Sequence, residues 1–501
     1  MEIKAIVGDI TQLDVGAIIV NLFEGVHTPG GATGAVDRSL DGAISSLIEE
    51  GEIRGKKGEL TLIHTLDKIA PHRVLIVGLG NREQFDRDGV RFVSGEALRY
   101  LRRLGVQRIA TIAHGAGIGG MDPQTSAQAI AEGSILGLYK FDKYLDKKEN
   151  SKDIKEVLIV ESSESKISAL GKGMEKGRVF AQATNLCRDM VNEPANFMNP
   201  GRMAMIAREL AAELGLEIRV LERAQMEELG MGGLLGVARG SEQPPKLIIL
   251  QYWGDPGNQS NNLGLVGKGI TFDTGGISLK PAAEMGEMKG DMAGGASVIA
   301  AMKAIGVLKP KINVTAIVPA TENMPGGSAQ RPGDVIRAMN GKSIEVENTD
   351  AEGRLILADA LCYARHMGIT RLIDVATLTG AMTIALGHVY SGVFTNNQEL
   401  CDQVLRAGKA SGERIWQMPM HEEYKEQNKS SVAEIKNTGG RPAGSITAAQ
   451  FLAEFVDDTP WVHLDIAGTS RTDKERGYNT KGATGVPVRT LINLVLDLSQ
   501  G

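Results

Sequence analysis

Cysteine is almost missing from this chain: Cys187, Cys362 and Cys401 are the only 3 in 501 residues. Neither their number nor their spacing suits a disulfide framework or a cysteine-ligated zinc site, so a reducing compartment is the natural setting. Histidine is scarce too, and none of the 8 stands in an H-E-x-x-H pattern, which leaves a single-zinc metalloprotease without support. Aromatic residues make up only 4% against 62 glycines, a balance that suits tight turns between aliphatic strands. Basic charge is not in excess: 55 Lys and Arg against 61 Asp and Glu give a net charge of −6. That argues against a whole-protein footprint for nucleic acid and confines any DNA-binding role to local stripes such as Arg99 to Arg103. Met1 to Val7 reads as a strand and lacks the basic region, apolar core and cleavage site of a signal peptide, so a cytoplasmic protein is expected. The uncharged run from Val375 to Gln398 is broken by Thr, Gly, Asn and His388, so a strand followed by loops is expected there and no membrane span.

What the chain does have is core material for more than one domain. Hydrophobic residues make up 42% and charged residues 23%, while single cores stop growing at about 250 to 300 residues. In the first part, Ala17 to Leu22, Arg73 to Val77 and Arg108 to His114 read as buried strands, with helical patterns at Gly95 to Leu104 and Ser126 to Leu138. Gly30 to Ala35 and Gly115 to Gly120 are glycine-rich. The second fits G-x-G-x-x-G, but Met121-Asp122-Pro123 falls where a nucleotide fingerprint needs its helix, so both are read as strand-to-helix turns. Asp142 to Glu156 is dense in charge and suits a domain boundary; Val157 to Val160 then reads as a strand and Leu170 to Val191 as a long helix. Beyond residue 195, strands at Glu217 to Val220, Lys246 to Tyr252, Leu263 to Val266, Ile312 to Val318, Arg371 to Ala376 and Trp461 to Ile466 alternate with helical stretches. The expected fold is α/β in two domains: residues 1–155, a connecting segment 156–195 with a long helix, and a larger domain 196–501. The last has a mostly parallel central sheet covered by helices, with ligands at the carboxyl ends of the strands.

Asn348-Thr349-Asp350-Ala351-Glu352-Gly353-Arg354-Leu355 places two carboxylates and a guanidinium at alternate positions. If extended, it puts Asp350, Glu352 and Arg354 on one face as the floor of an active site; otherwise it is a solvated acidic turn. Ala351 and Gly353 leave room for a close approach to the backbone. Partners for the acids occur after the strand ending near Val266, where Lys268, Asp273, Lys280 and Asp291 stand among glycines. Singly, Asp273 reads as a turn cap and Asp291 as the cap of a helix beginning near Met292. Together with Asp350 and Glu352 they make four carboxylates, which cannot all stay ionised at close range unless cations hold them. Oxygen ligands without His or Cys suit Mg²⁺, Mn²⁺ or Zn²⁺, and bridging carboxylates hold two ions about 3.5 to 4 Å apart.

The octapeptide Asn348 to Leu355 resembles the signature of the leucine aminopeptidases (cytosol aminopeptidases, peptidase family M17). The resemblance runs through Val266 to Asp273, Met288 to Met292, Glu322 to Pro325, Arg331 to Val335, Asp374 to Ala381 and Trp461 to Gly468, covering about residues 185 to 495. The first 150 residues match more loosely and resemble that family's macro-like α/β domain, which does not imply ADP-ribose binding.

The resemblance implies removal of one N-terminal residue from peptides with a free α-amino group by a two-metal-bound hydroxide. Asp273 and Glu352 are then shared by both ions (Mn²⁺ or Zn²⁺), Asp350 completes one site, and Lys268, neutral, completes the other with Asp291. Lys280 polarises the scissile carbonyl, and Arg354 holds a bicarbonate that acts as general base. Met288, Thr377 and Gly380 match the family's apolar side-chain pocket, implying broad preference for Leu, Met and other apolar residues. A homohexamer of paired trimers is also implied. Glu434 stands where the family pattern has Asp, a difference expected to matter little because that segment supplies no ligand. The alternatives are a two-metal phosphoesterase, against which the missing phosphate-cradling motif counts, and an additional DNA-binding role.

Overall fold

The computed structural model describes residues 1–117, 119–146 and 153–500. The chain divides into two compact units: Met1–Gln182 with Asp473–Lys481, and Ala183–Thr472 with Gly482–Gly501.

The first unit is built on strands β1 (Glu2–Val7), β2 (Ala17–Phe23), β3 (Leu60–His64), β4 (Arg73–Gly80), β5 (Arg108–Ile112) and β6 (Glu156–Glu161), in the order β1-β6-β5-β2-β4-β3. All neighbours are parallel except β3, which runs antiparallel to β4. Alternate residues of one strand feed two cores: Ile18, Val20 and Leu22 join one cluster, and Ala17, Ile19 and Phe23 another. Both faces are therefore covered, which is why these strands read as continuous apolar runs. Strand β6 pairs with β1 and β5, so this sheet continues past the expected boundary at residue 155. Of the charged stretch Asp142 to Glu156, residues 147–152 lie outside the described residues, as does Ile118 of the second glycine-rich turn. That turn is followed by a helix, Pro123–Gly137, whose first turn is capped by Asp122 accepting from Thr125 N at 2.9 Å.

The second unit holds β7 (Glu217–Leu221), β8 (Lys246–Trp253), β9 (Asn262–Gly267), β10 (Gly269–Asp273), β11 (Asn313–Asn323), β12 (Asp334–Arg337), β13 (Ser343–Val346), β14 (Leu372–Ala376), β15 (Ser391–Thr395), β16 (Ile415–Gln417), β17 (Ile435–Lys436) and β18 (Trp461–Asp465). Its main sheet has the order β16-β15-β18-β14-β9-β11-β8-β7, with β10 pairing to β11. The centre, β18-β14-β9-β11, is parallel throughout. The helix Gly353–His366 shares a core with Val266 and Ile317 on one face of the sheet. The helix Ala293–Leu308 packs on the other, where Gly295 lies over Val318 so closely that a Cβ would stand 2.7 Å from its Cγ1. Strands β12, β13 and β17 form a small separate sheet.

The carboxyl ends of the parallel strands set the site. Lys268 follows β9, Asp273 ends β10, Thr377 follows β14 and Asp465 ends β18. This is where an open α/β sheet gathers its ligand-binding loops.

Candidate active site

The octapeptide is not extended. Glu352 has helical backbone angles (φ −75°, ψ −34°) and caps the helix Gly353–His366, so Asp350 lies in a turn and Arg354 in the helix's first turn. The period-two spacing is misleading here because an apolar run, Leu355 to Leu361, pulls the backbone into a helix buried against the sheet. A turn running into a helix still brings acids together: oxygens of Asp273, Asp350 and Glu352 all lie within 4.8 Å of one another.

Two lysines occupy the gaps between the acids. Lys268 Nζ lies 2.8 Å from Asp291 Oδ2 and 2.8 Å from Glu352 Oε1, and donates to Thr377 O at 3.0 Å. Lys280 Nζ lies 2.8 Å from Asp273 Oδ2 and 2.5 Å from Asp350 Oδ1. Asp291 does not cap the helix after Met292; its Oδ1 accepts from Thr377 Oγ1 at 2.6 Å. Asp273 does serve its turn, accepting from Gly275 N at 2.9 Å, and also receives Asn323 Nδ2 at 2.8 Å. Nine of the ten residues singled out in the sequence, Lys268, Asp273, Lys280, Met288, Asp291, Asp350, Glu352, Thr377 and Gly380, line one cavity of about 430 Å³. Arg354 does not line it: buried, it donates Nη1 to Asn437 O at 2.7 Å, and its Nε has no hydrogen-bond partner among the described residues.

Electrostatics follow from this crowding. Burial pushes Glu352, Asp291 and Asp350 above the usual carboxylate range; Asp273 adds to the effect on all three, and lysines partly offset it. Burial works against the Lys268 and Lys280 ammonium groups, but the surrounding carboxylates outweigh it and hold both above the ordinary lysine range. Burial draws Arg354 down to about 10.

The donor set fits divalent cations. Four carboxylates face two ammonium groups, a surplus of negative charge that groups buried as Asp273, Asp291 and Glu352 are do not tolerate uncompensated. Among the described residues, Asp291 Oδ2 and Asp350 Oδ1 meet only lysines and accept no well-formed hydrogen bond, and Glu352 Oε2 is buried without a hydrogen-bond partner. Oxygens left open in this way are what hard or borderline dications bind.

Three supports escaped the sequence reading. Asn323 orients Asp273 and donates to Thr349 O at 3.0 Å. Asp465 accepts from Thr379 Oγ1 at 2.7 Å and Leu378 N at 3.2 Å, fixing the loop that offers Thr377 O to Lys268. Asn437 underlies the octapeptide. The first two stand inside the Glu322 to Pro325 and Trp461 to Gly468 matches, where they were visible; Asn437 follows Glu434, in a segment expected to matter little.

A doubly covered α/β sheet with an acid-and-lysine cluster beyond the ends of its parallel strands defines an α/β protein with a candidate cation-binding site. The family model for the cytosol aminopeptidase family, catalytic domain, matches residues 185–492, and that for the family's N-terminal domain matches residues 19–148. The chain is 50% identical to a probable cytosol aminopeptidase of Solibacter usitatus, covering 97% of each chain, and 45% identical to one of Alkaliphilus metalliredigens, covering 100% of each. Among solved structures it resembles a mutant of tomato leucine aminopeptidase (TM-score 0.89, 34% identity, 99% of this chain and 96% of that one). It also resembles the bottromycin maturation enzyme BotP in complex with Mn (TM-score 0.85, 35% identity, 97% and 100%). The chain belongs to the cytosol aminopeptidase family and is an aminopeptidase.

Proposed function

We propose that the protein is a dinuclear metal exopeptidase that releases one N-terminal residue, Leu, Met or another apolar one, from peptides with a free α-amino group. The observation that carries this reading is the convergence of Asp273, Asp350 and Glu352 oxygens within 4.8 Å, with Glu352 Oε2 buried and without a hydrogen-bond partner among the described residues. Asp273 and Glu352 would serve two ions, Mn²⁺ or Zn²⁺, Asp350 one of them, and Lys268 with Asp291 the other; the Mn complex of the structural relative supports a divalent metal. When bound, such ions supply Lewis acidity toward the carbonyl oxygen and lower the pKa of water.

Lys268 would bind as the free amine, its ammonium giving way to the ions' charge against the same carboxylates. Lys280, beside Asp273 and Asp350, would act as an ammonium that polarises the scissile carbonyl and stabilises the oxyanion that develops there. Arg354, its Nε without a hydrogen-bond partner among the described residues, would seat bicarbonate and so supply a proton acceptor where no histidine is among the described residues of the cavity wall. Met288, Thr377 and Gly380 would receive the first side chain, and a pocket of this kind discriminates only about 10- to 200-fold per methylene, hence the broad preference. A homohexamer of paired trimers in the cytoplasm belongs to the same reading, supported by the family resemblance and by the word cytosol in the relatives' names.

Protein supplied with Mn²⁺ or Zn²⁺ should release Leu from Leu-amide and spare the N-acetylated amide, and Asp350→Asn should remove nearly all of the rate. Undiminished hydrolysis by that variant, or after complete chelation, contradicts the reading.

A further inference from the structure

We infer that Asn437 is a positioning residue that holds the turn carrying Asp350 and Glu352, together with Arg354, in its binding geometry; this rests on the metallopeptidase reading above. Strands β13 and β17 pair in parallel, Ile344 against Ile435 and Glu345 against Lys436, and Asn437 N donates to Glu345 O at 2.9 Å. Continued by one residue, the register sets Asn437 opposite Val346, the last residue of β13, so that its side chain reaches Glu347 and Asn348 where the chain leaves the strand.

The side chain of Asn437 is fully buried. Its Oδ1 accepts from Glu347 N at 2.9 Å and Asn348 N at 3.3 Å, and its Nδ2 donates to Asn348 O at 2.7 Å and Ala351 O at 3.3 Å. An asparagine amide offers two donor hydrogens and two acceptor lone pairs, so its capacity is spent entirely on this loop. Its main-chain carbonyl accepts from Arg354 Nη1 at 2.7 Å. One residue thus spans the loop that bears two of the acids and the guanidinium behind them. Aspartate has the length but no donor, serine is too short, and glutamine adds a methylene to a filled space.

The opposite end of the same strand pair has a different anchor, which supplies a control. Glu434 Oε2 accepts from Ser343 N at 2.7 Å and Ser343 Oγ at 3.0 Å, far along β13 from the loop. If Asn437 served only to stabilise the small sheet, Asn437 and Glu434 variants would behave alike.

The test compares Asn437→Ala, Asn437→Asp and Glu434→Gln in the full chain by Mn²⁺ titration calorimetry, kinetics on Leu-amide, and hydrogen exchange of the 347–354 amides without metal. Outer-shell partners are worth about 10- to 100-fold in metal affinity, so N437A should bind Mn²⁺ that much more weakly. Its kcat should fall at least about tenfold with KM within about threefold, the pattern of a lost transition-state arrangement. Its loop amides should exchange faster, while E434Q lowers only the melting temperature. N437D keeps the acceptor and loses the donor; it should show the same pattern and carries the test if N437A does not fold. Folded N437A or N437D with wild-type Mn²⁺ affinity, kcat and loop exchange overturns the inference. Wild-type protein that binds no Mn²⁺ overturns the metallopeptidase reading instead, and the metal-free loop exchange then decides on Asn437 by itself: faster exchange in the variants supports it, equal exchange overturns it.

Discussion

The ammonium of Lys268 lies against Gly353: a Cβ built on that glycine would stand 2.7 Å from both Nζ and Cε of the lysine. Gly353 sits in a helix, so a left-handed backbone is not what requires glycine there. The space is taken by the lysine that joins Asp291 to Glu352.

Gly353→Ala should therefore separate activity from stability. Alanine is the better helix former by about 1 kcal/mol, so the fold should hold or gain. The added methyl pushes Nζ off Glu352, and kcat on Leu-amide should drop about tenfold or more, as for a misplaced metal-site partner. A variant with full activity and an unmoved melting temperature would show that Lys268 can vacate the space at no cost to the chemistry.

Asn323 offers the complementary test on the other side of the cluster. Asn323→Asp replaces the amide hydrogens that meet Asp273 Oδ1 and Thr349 O with a carboxylate facing a carboxylate. Mn²⁺ affinity, read by calorimetry, should fall about 10- to 100-fold.

How much of this was visible in the sequence depended on length and locality. The helix Ala293–Leu308 and strands such as β8 and β14 are long or apolar enough to announce themselves by periodicity. In the acid-and-lysine cluster, Lys268 and Asp273 at strand ends and Asp291, Asp350 and Glu352 in the loops and helix start that face them were legible because each lies inside a matching motif. The shape of the octapeptide was not: nothing in its eight letters reports that Glu352 is already helical. Strands β13 and β17, of four and two residues, are too short to show a period, and so the clamp that Asn437 makes across 83 residues to Arg354 was invisible. Assignment of Asp473–Lys481 to the first unit rests on contacts such as Arg99 Nη1 donating to Gly477 O at 2.5 Å, which no local pattern encodes.

The first unit should lose stability in mild acid. His114 is buried, with Nδ1 2.9 Å from Asn21 Nδ2 and Nε2 3.0 Å from Thr111 Oγ1, and burial lowers its pKa to about 4. Between that value and the unfolded value near 6.5, the unfolded chain binds the proton and the folded one does not. The contribution is thus complete above pH 6.5 and is lost as pH falls toward 4, amounting to about 2 kcal/mol by pH 5. Urea unfolding at pH 7.5 and pH 5 should show a smaller loss for His114→Gln than for the wild type; equal losses would place the acid sensitivity elsewhere.

Behind the site, Asp374 accepts from His463 Nδ1 and Trp461 Nε1, each at 2.6 Å, in a fully buried group. Asp374→Ala would strand both partners, and breaking a buried ionic contact in this one-sided way costs about 3 to 5 kcal/mol. A clear fall in the melting temperature is expected, and a shift within experimental error would mean that the pair is energetically idle.

Counting metal in the protein tests the proposed chemistry most directly. Protein equilibrated with Mn²⁺ and freed of excess should retain two ions per chain and hydrolyse Leu-amide, whereas Glu352→Gln, which loses a shared ligand, should retain fewer and lose nearly all of the rate. Wild-type protein that retains no ion, or a Glu352→Gln variant that keeps both ions and full activity, would contradict it.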